Sequence, residues 1–79
     1  WLMKLKRKRM EIHSDFKGFC KSHGFTQYKI KEIEERGIRN VDLNVLSKYV
    51  RIINAEDELK EWVSKYPNIA KKYKIDSIV

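Results

Sequence analysis

Apolar residues recur along the chain at three- and four-residue intervals, with almost no strand-like alternation, and this pattern predicts a series of short helices. Over Trp1 to Ile12, Leu2, Leu5, Arg9 and Ile12 fall at helical spacing with Met10 alongside, and Lys4, Lys6, Arg7 and Lys8 lie around them. That segment reads as a terminal helix with a solvated basic face, or as a basic arm on a phosphate backbone. A second helix opens at Ser14-Asp15, either of which suits an N-cap, points Phe16, Phe19 and Cys20 one way, and stops at Gly24. Gly18 within it costs roughly 1 kcal/mol against Ala, which predicts a neighbouring helix packed closely there.

The third helix is capped by Thr26, turns Ile30 and Ile33 inward, is stapled by Phe25 and ends at Gly37, and a loop follows over Ile38 to Asp42. From Leu43 to Ile53, with Asp42 as cap, Leu43, Leu46, Tyr49, Val50 and Ile53 form a wide apolar face, with Asn44, Ser47, Lys48 and Arg51 outside. The fifth helix, Glu56 to Tyr66, starts with acids that suit the positive end of a helix dipole and carries Leu59, Trp62, Val63 and Tyr66 on one side. Pro67 stops it. The tail can form one more short helix, and its apolar end, Ile75, Ile78 and Val79, packs on the body or on a partner.

Five helices, or six if the tail folds as one, predict an all-α, compact bundle in a single domain over 1–79, because 79 residues cannot hold a second core. The expected layout is a helix-turn-helix at about 14–37, C-terminal helices at 43–66 and a short tail at 67–79. So short a chain leaves little room for a deep active-site cleft, and no Ser/His/Asp, Cys/His or paired-carboxylate constellation is identifiable, so neither an enzyme nor a small-molecule substrate is expected. No apolar run approaches the ~20 residues of a membrane span. Cys20 has no second cysteine, and only His13 and His23 could join it on a metal, so no metal or cofactor is expected and the chain reads as intracellular, in cytoplasm or nucleoid. The basic amino terminus lacks the apolar stretch of a secretory signal, and a start at Trp1 reads as a domain cut from a longer chain.

Charge changes the picture more than composition does. Eighteen Lys and Arg against 11 Asp and Glu give a net +7, which favours a polyanion: nucleic acid, then an acidic membrane, then an acidic protein. A helix ending in Gly24, a short turn and a second helix is the local layout of a helix-turn-helix, whose second helix presents its first turns to base edges. Those turns carry Gln27, Tyr28 and Lys31 for base reading: Gln pairs with adenine, Lys donates to guanine, and Tyr meets a thymine methyl or a phosphate. Thr26 and Lys29 lie beside them.

These residues resemble the Cro/C1-type (XRE) helix-turn-helix DNA-binding domains over residues 14 to 66, with Leu5 to Ile12 as a first helix. Cys20 stands four before Gly24 where that family has a small residue, Phe25 is the apolar turn residue, and Ile30, Ile33 and Glu34 match its Ile-x-x-Ile-Glu run. Arg36-Gly37-Ile38-Arg39-Asn40 is similar to the following loop. Asp15-Phe16 departs from the family's Thr-Gln, and the loop is one residue longer. The resemblance implies double-stranded DNA as partner and transcriptional repression or regulation as role, with Gln27, Tyr28 and Lys31 reading bases. It implies backbone contacts from Lys17, Lys21, Thr26, Lys29, Arg36, Arg39 and Asn40. It also implies a homodimer, for which Trp62 and Tyr66 are the candidates.

Other readings stand beside this one. Gln27, Tyr28 and Lys31 suit a plain solvated face, and Trp62 and Cys20 suit the core. His23 suits a helix C-terminus. Glu32, Glu34 and Glu35 read as solvated, two of them able to pair with Lys31, Arg36 or Arg39. A helical protein–protein interaction module, its basic surface meeting an acidic partner, accounts for the same composition. RNA binding has less support, for want of stacking aromatics. DNA binding requires the cations on one face, with the three glutamates turned away.

Overall fold

Local signals in the chain set most helix ends. The computed structural model describes residues 2–37, 39 and 41–79; among them it shows six α-helices, a final 3-10 turn and no strand. α1 (Met3–Ile12) buries Leu5 and Arg9. Leu2, just before it, donates its N–H to the Ile33 carbonyl at 3.3 Å. Helical spacing placed Ile12 on this inner face, but past buried Arg9 the helix runs into solvent and leaves Met10 and Ile12 exposed.

α2 (Phe16–His23) begins at Asp15, whose side chain makes no capping bond. A Cβ at Gly18 would lie 2.5 Å from Asp15 Oδ2 and 3.4 Å from His13 Cε1. The crowding there comes from the preceding loop, not from the neighbouring helix that the sequence suggested. At the other end Gly24 takes φ +69°, its N–H donates to the Lys21 carbonyl, and the Phe25 N–H donates to the Cys20 carbonyl at 2.8 Å. This is the Schellman arrangement, which needs a left-handed residue that only glycine supplies without strain.

α3 (Gln27–Glu34) starts at Thr26, whose hydroxyl accepts from the Lys29 N–H at 3.4 Å. It stops three residues short of Gly37. The Glu35 and Arg36 N–H groups both donate to the Lys31 carbonyl, which closes the last turn, and Gly37 does not use the left-handed region. α4 (Leu43–Ile52) is capped as expected: Asp42 Oδ1 accepts from Asn44 and Val45 at 3.0 and 3.2 Å. α5 (Glu56–Lys65) follows a turn at Asn54, φ +55°. α6 (Pro67–Lys72) has its proline at the start, so the tail is a sixth helix. The final turn, Ile75–Ile78, buries Ile75 and half-buries Ile78, while Val79 is exposed.

Every helix contributes to one core: Leu5, Phe19, Cys20, Ile30, Ile33, Leu46, Tyr49, Leu59 and Ala70 are all buried. α1 and α4 both pack on α3, and α2 packs across it. No helix among the described residues is long and apolar enough to cross a membrane.

Lysines hold several surface carboxylates below the usual range: Lys29 for Asp42, Lys6 for Glu35, Lys8 for Glu58 and Lys4 for Glu61. A depressed carboxylate contributes stability above its unfolded pKa and loses it as pH falls through the lower folded value. The domain should therefore weaken as pH drops below about 4. Asp42→Ala should cost about 1 kcal/mol at neutral pH from the lost cap and show a shallower acid limb. Urea melts of both proteins at a series of pH values check this; parallel limbs would remove Asp42 from the account.

Candidate nucleic-acid interface

Three residues, Gly24 to Thr26, separate α2 from α3. Ile30 and Ile33 are fully buried and fix one side of α3 to the core. At roughly 100° per residue, Gln27, Lys31 and Tyr28 then fall within about 100° of arc on the side away from those isoleucines. All three are exposed, Tyr28 at 60%. Among the described residues, no side-chain hydrogen bond, ion pair or ring contact involves Gln27.

The other predicted contacts are placed as follows. Lys17 and Lys21 are exposed on α2, across that helix from buried Phe19 and Cys20. Thr26 is exposed at the head of α3, and Arg39 is exposed beyond its end. Lys29 is exposed but ion-paired to Asp42 at 2.9 Å, which ties the start of α3 to the start of α4. Lys31 Nζ lies 5.7 Å from the Phe16 ring, and Arg36 Cζ lies 4.9 Å over the Tyr28 ring. Asn40 lies outside the described residues.

The chain matches no family model, no curated protein and no solved structure.

The acids are where the structure corrects the sequence reading. Glu34 is buried, not solvated: Arg9 Nε and Nη2 donate to its two oxygens at 3.0 Å each, and the Tyr49 hydroxyl donates to Oε2 at 2.5 Å. Glu35 pairs with Lys6. Both partners come from α1, not from Lys31, Arg36 or Arg39, because α1 packs along the C-terminal half of α3. Glu32 is buried as well, at 2% exposure, and its carboxylate beside Tyr28 raises the pKa of that phenol. Both acids of α3 are thus buried, and Glu35, just past its end, is exposed but ion-paired.

Arg9 is the residue that sequence reasoning placed without explaining. It sits at helical spacing from Leu2 and Leu5, and an arginine in an apolar stripe is a signal of a buried ion pair. Its guanidinium also donates to the His13 carbonyl at 3.1 Å and lies 5.2 Å over the Phe16 ring. Burial, then the bond to Glu34, pushes the Tyr49 phenol far above its usual range. Burial also pushes the Cys20 thiol up, which keeps it a protonated core residue. No group of His, Cys, Asp and Glu among the described residues could hold a metal ion.

Trp62 is half-buried, its ring 5.5 Å from that of exposed Tyr66. With Leu2, Met3 and Leu5 they line a groove of about 210 Å³ between α1 and α5, rimmed by Lys4, Lys65, Glu58 and Glu61.

Proposed function

We propose that the chain binds double-stranded DNA sequence-specifically as a helix-turn-helix domain, with α3 in the major groove, and acts in transcriptional repression or regulation. The observation that carries this is the condition of α3. Gln27, Tyr28 and Lys31 share one exposed arc, while Glu34 is turned into the core, Glu32 is buried and Glu35 is ion-paired to Lys6. A helix face with hydrogen-bonding groups, cations and no bare acid suits a groove flanked by phosphates. Lys17, Lys21 and Arg39 supply sequence-independent, salt-dependent affinity. Two copies joined through Trp62 and Tyr66 would read two half-sites.

Selection from random duplex DNA tests the reading directly. An enriched site, bound with a steep salt dependence, is the expected result. Gln27→Ala should then cost about 1–3 kcal/mol at one base pair, and little on random DNA. Arg39→Ala should weaken all sequences alike and flatten the salt slope by about 0.9. A pool that enriches no site, with binding lost at physiological salt, would count against DNA and favour a protein partner for the basic surface.

A further inference from the structure

Tyr28, Glu32 and Arg36 form a connected line along the outer side of α3 and past its end. Their roles differ from those that exposure alone suggests. Tyr28 is four residues before Glu32 and so stacks directly over it on the helix surface. The Glu32 carboxylate beside it, itself almost wholly buried, raises the pKa of the phenol. Arg36 closes the other side. Its backbone N–H is bound to the Lys31 carbonyl at 3.1 Å, which turns the chain back at the helix end and brings the guanidinium 4.9 Å over the Tyr28 ring. The ring thus carries a planar cation over its face. Yet 60% of the residue remains open to solvent.

A phosphate contact needs none of this. A long, loose cation would serve as well, whereas a guanidinium stacked on a ring is oriented by the ring and orients it in turn. Free tyrosine on a helix surface would sample several rotamers and lose that freedom on binding, weakening any preference for one base pair. A clamped ring presents the same edge each time.

Taking the DNA-binding reading as its premise, we propose that Arg36 is a positioning residue that clamps the Tyr28 ring, which makes it a determinant of sequence choice and not a backbone contact. Arg36 acts through Tyr28.

Two measurements test this. In the DNA-free protein, NMR should show the Arg36 Hδ protons shifted upfield by the Tyr28 ring current, and Tyr28→Leu should abolish the shift. Unshifted Arg36 protons would overturn the clamp whatever the protein binds. On duplexes chosen by selection with the unaltered protein, Arg36→Gln and Tyr28→Leu should each cut discrimination at the same base pair by about tenfold. The double variant should lose no more than either single one, and the salt slope with Arg36→Gln should stay unchanged. Equal losses on selected and random DNA, with a slope shallower by about 0.9, would make Arg36 a phosphate contact and overturn the proposal. If selection enriches no site even with the unaltered protein, the DNA reading falls and this proposal falls with it. A ring-current shift that survived that result would leave the clamp as a feature of the fold alone.

Discussion

Arg9→Met should destabilise the domain by about 3–5 kcal/mol, the cost of leaving a buried carboxylate without its cation. Glu34 would lose both guanidinium donors while the Tyr49 hydroxyl still reaches it, and at 2% exposure it has little access to water. Domains of this kind are stable by about 5–15 kcal/mol in all, so the loss is a large share of the total. The same argument predicts recovery. When all members of a buried ionic group are replaced by apolar residues of similar volume, stability is often kept or raised. Arg9→Met combined with Glu34→Met and Tyr49→Phe should therefore be much more stable than Arg9→Met alone. Urea denaturation at pH 7 followed by circular dichroism measures both. A single Arg9→Met variant within about 1 kcal/mol of the starting protein would mean that the interior there is wet enough to solvate Glu34.

Phe19→Ala should cost about 3–5 kcal/mol. Phe19 is buried at the centre of an aromatic group, with ring centroids of His23 at 4.9 Å, Tyr49 at 5.9 Å, and His13 and Phe25 at 6.0 Å. It also lies under the Arg9 guanidinium at 5.9 Å. Contacts from the α1 end, α2, the turn and α4 would all be lost together, and none of these elements is free to close the space. At about 4–8 °C per kcal/mol for a domain of this size, the melting temperature should fall by more than about 12 °C. Phe19→Leu, which keeps most of the volume, should cost far less. A fall under about 4 °C for the alanine variant would show that the neighbouring rings collapse into the cavity.

The helix framework was legible along the chain because local chemistry decides it. Thr26, Asp42, Gly24 and Pro67 act on backbone groups within a few residues of themselves, and all four sit at the helix ends where the sequence put them. The apolar stripe of α4 was equally plain, since Leu46, Tyr49 and Val50, with Ile53 at its C-cap, are fully or nearly fully buried as spaced. Where a boundary failed, a competing local bond explains it: α3 closes onto the Lys31 carbonyl before Gly37 is reached. Gly18 misled because the group that crowds it, the Asp15 carboxylate, lies only three residues away and not on another helix.

The candidate site was legible only by residue type. Gln27, Tyr28 and Lys31 could be named from their place after the turn, and their exposure follows from the inward phase of Ile30 and Ile33. The fate of the acids could not be read in this way. A glutamate next to an inward isoleucine has the same sequence signature whether water or an arginine 25 residues earlier meets it.

The sequence by itself determined five helical segments and left a sixth open, with the Thr26 and Asp42 caps, the Gly24 stop and most of the apolar faces, because these depend on contacts within one or two turns. Only the tertiary structure decided which charges are buried and which remain to meet a partner. Arg9 and Glu34 are joined by packing of α1 on α3, and desolvating an ion pair is favourable only when both members and their remaining hydrogen bonds arrive together.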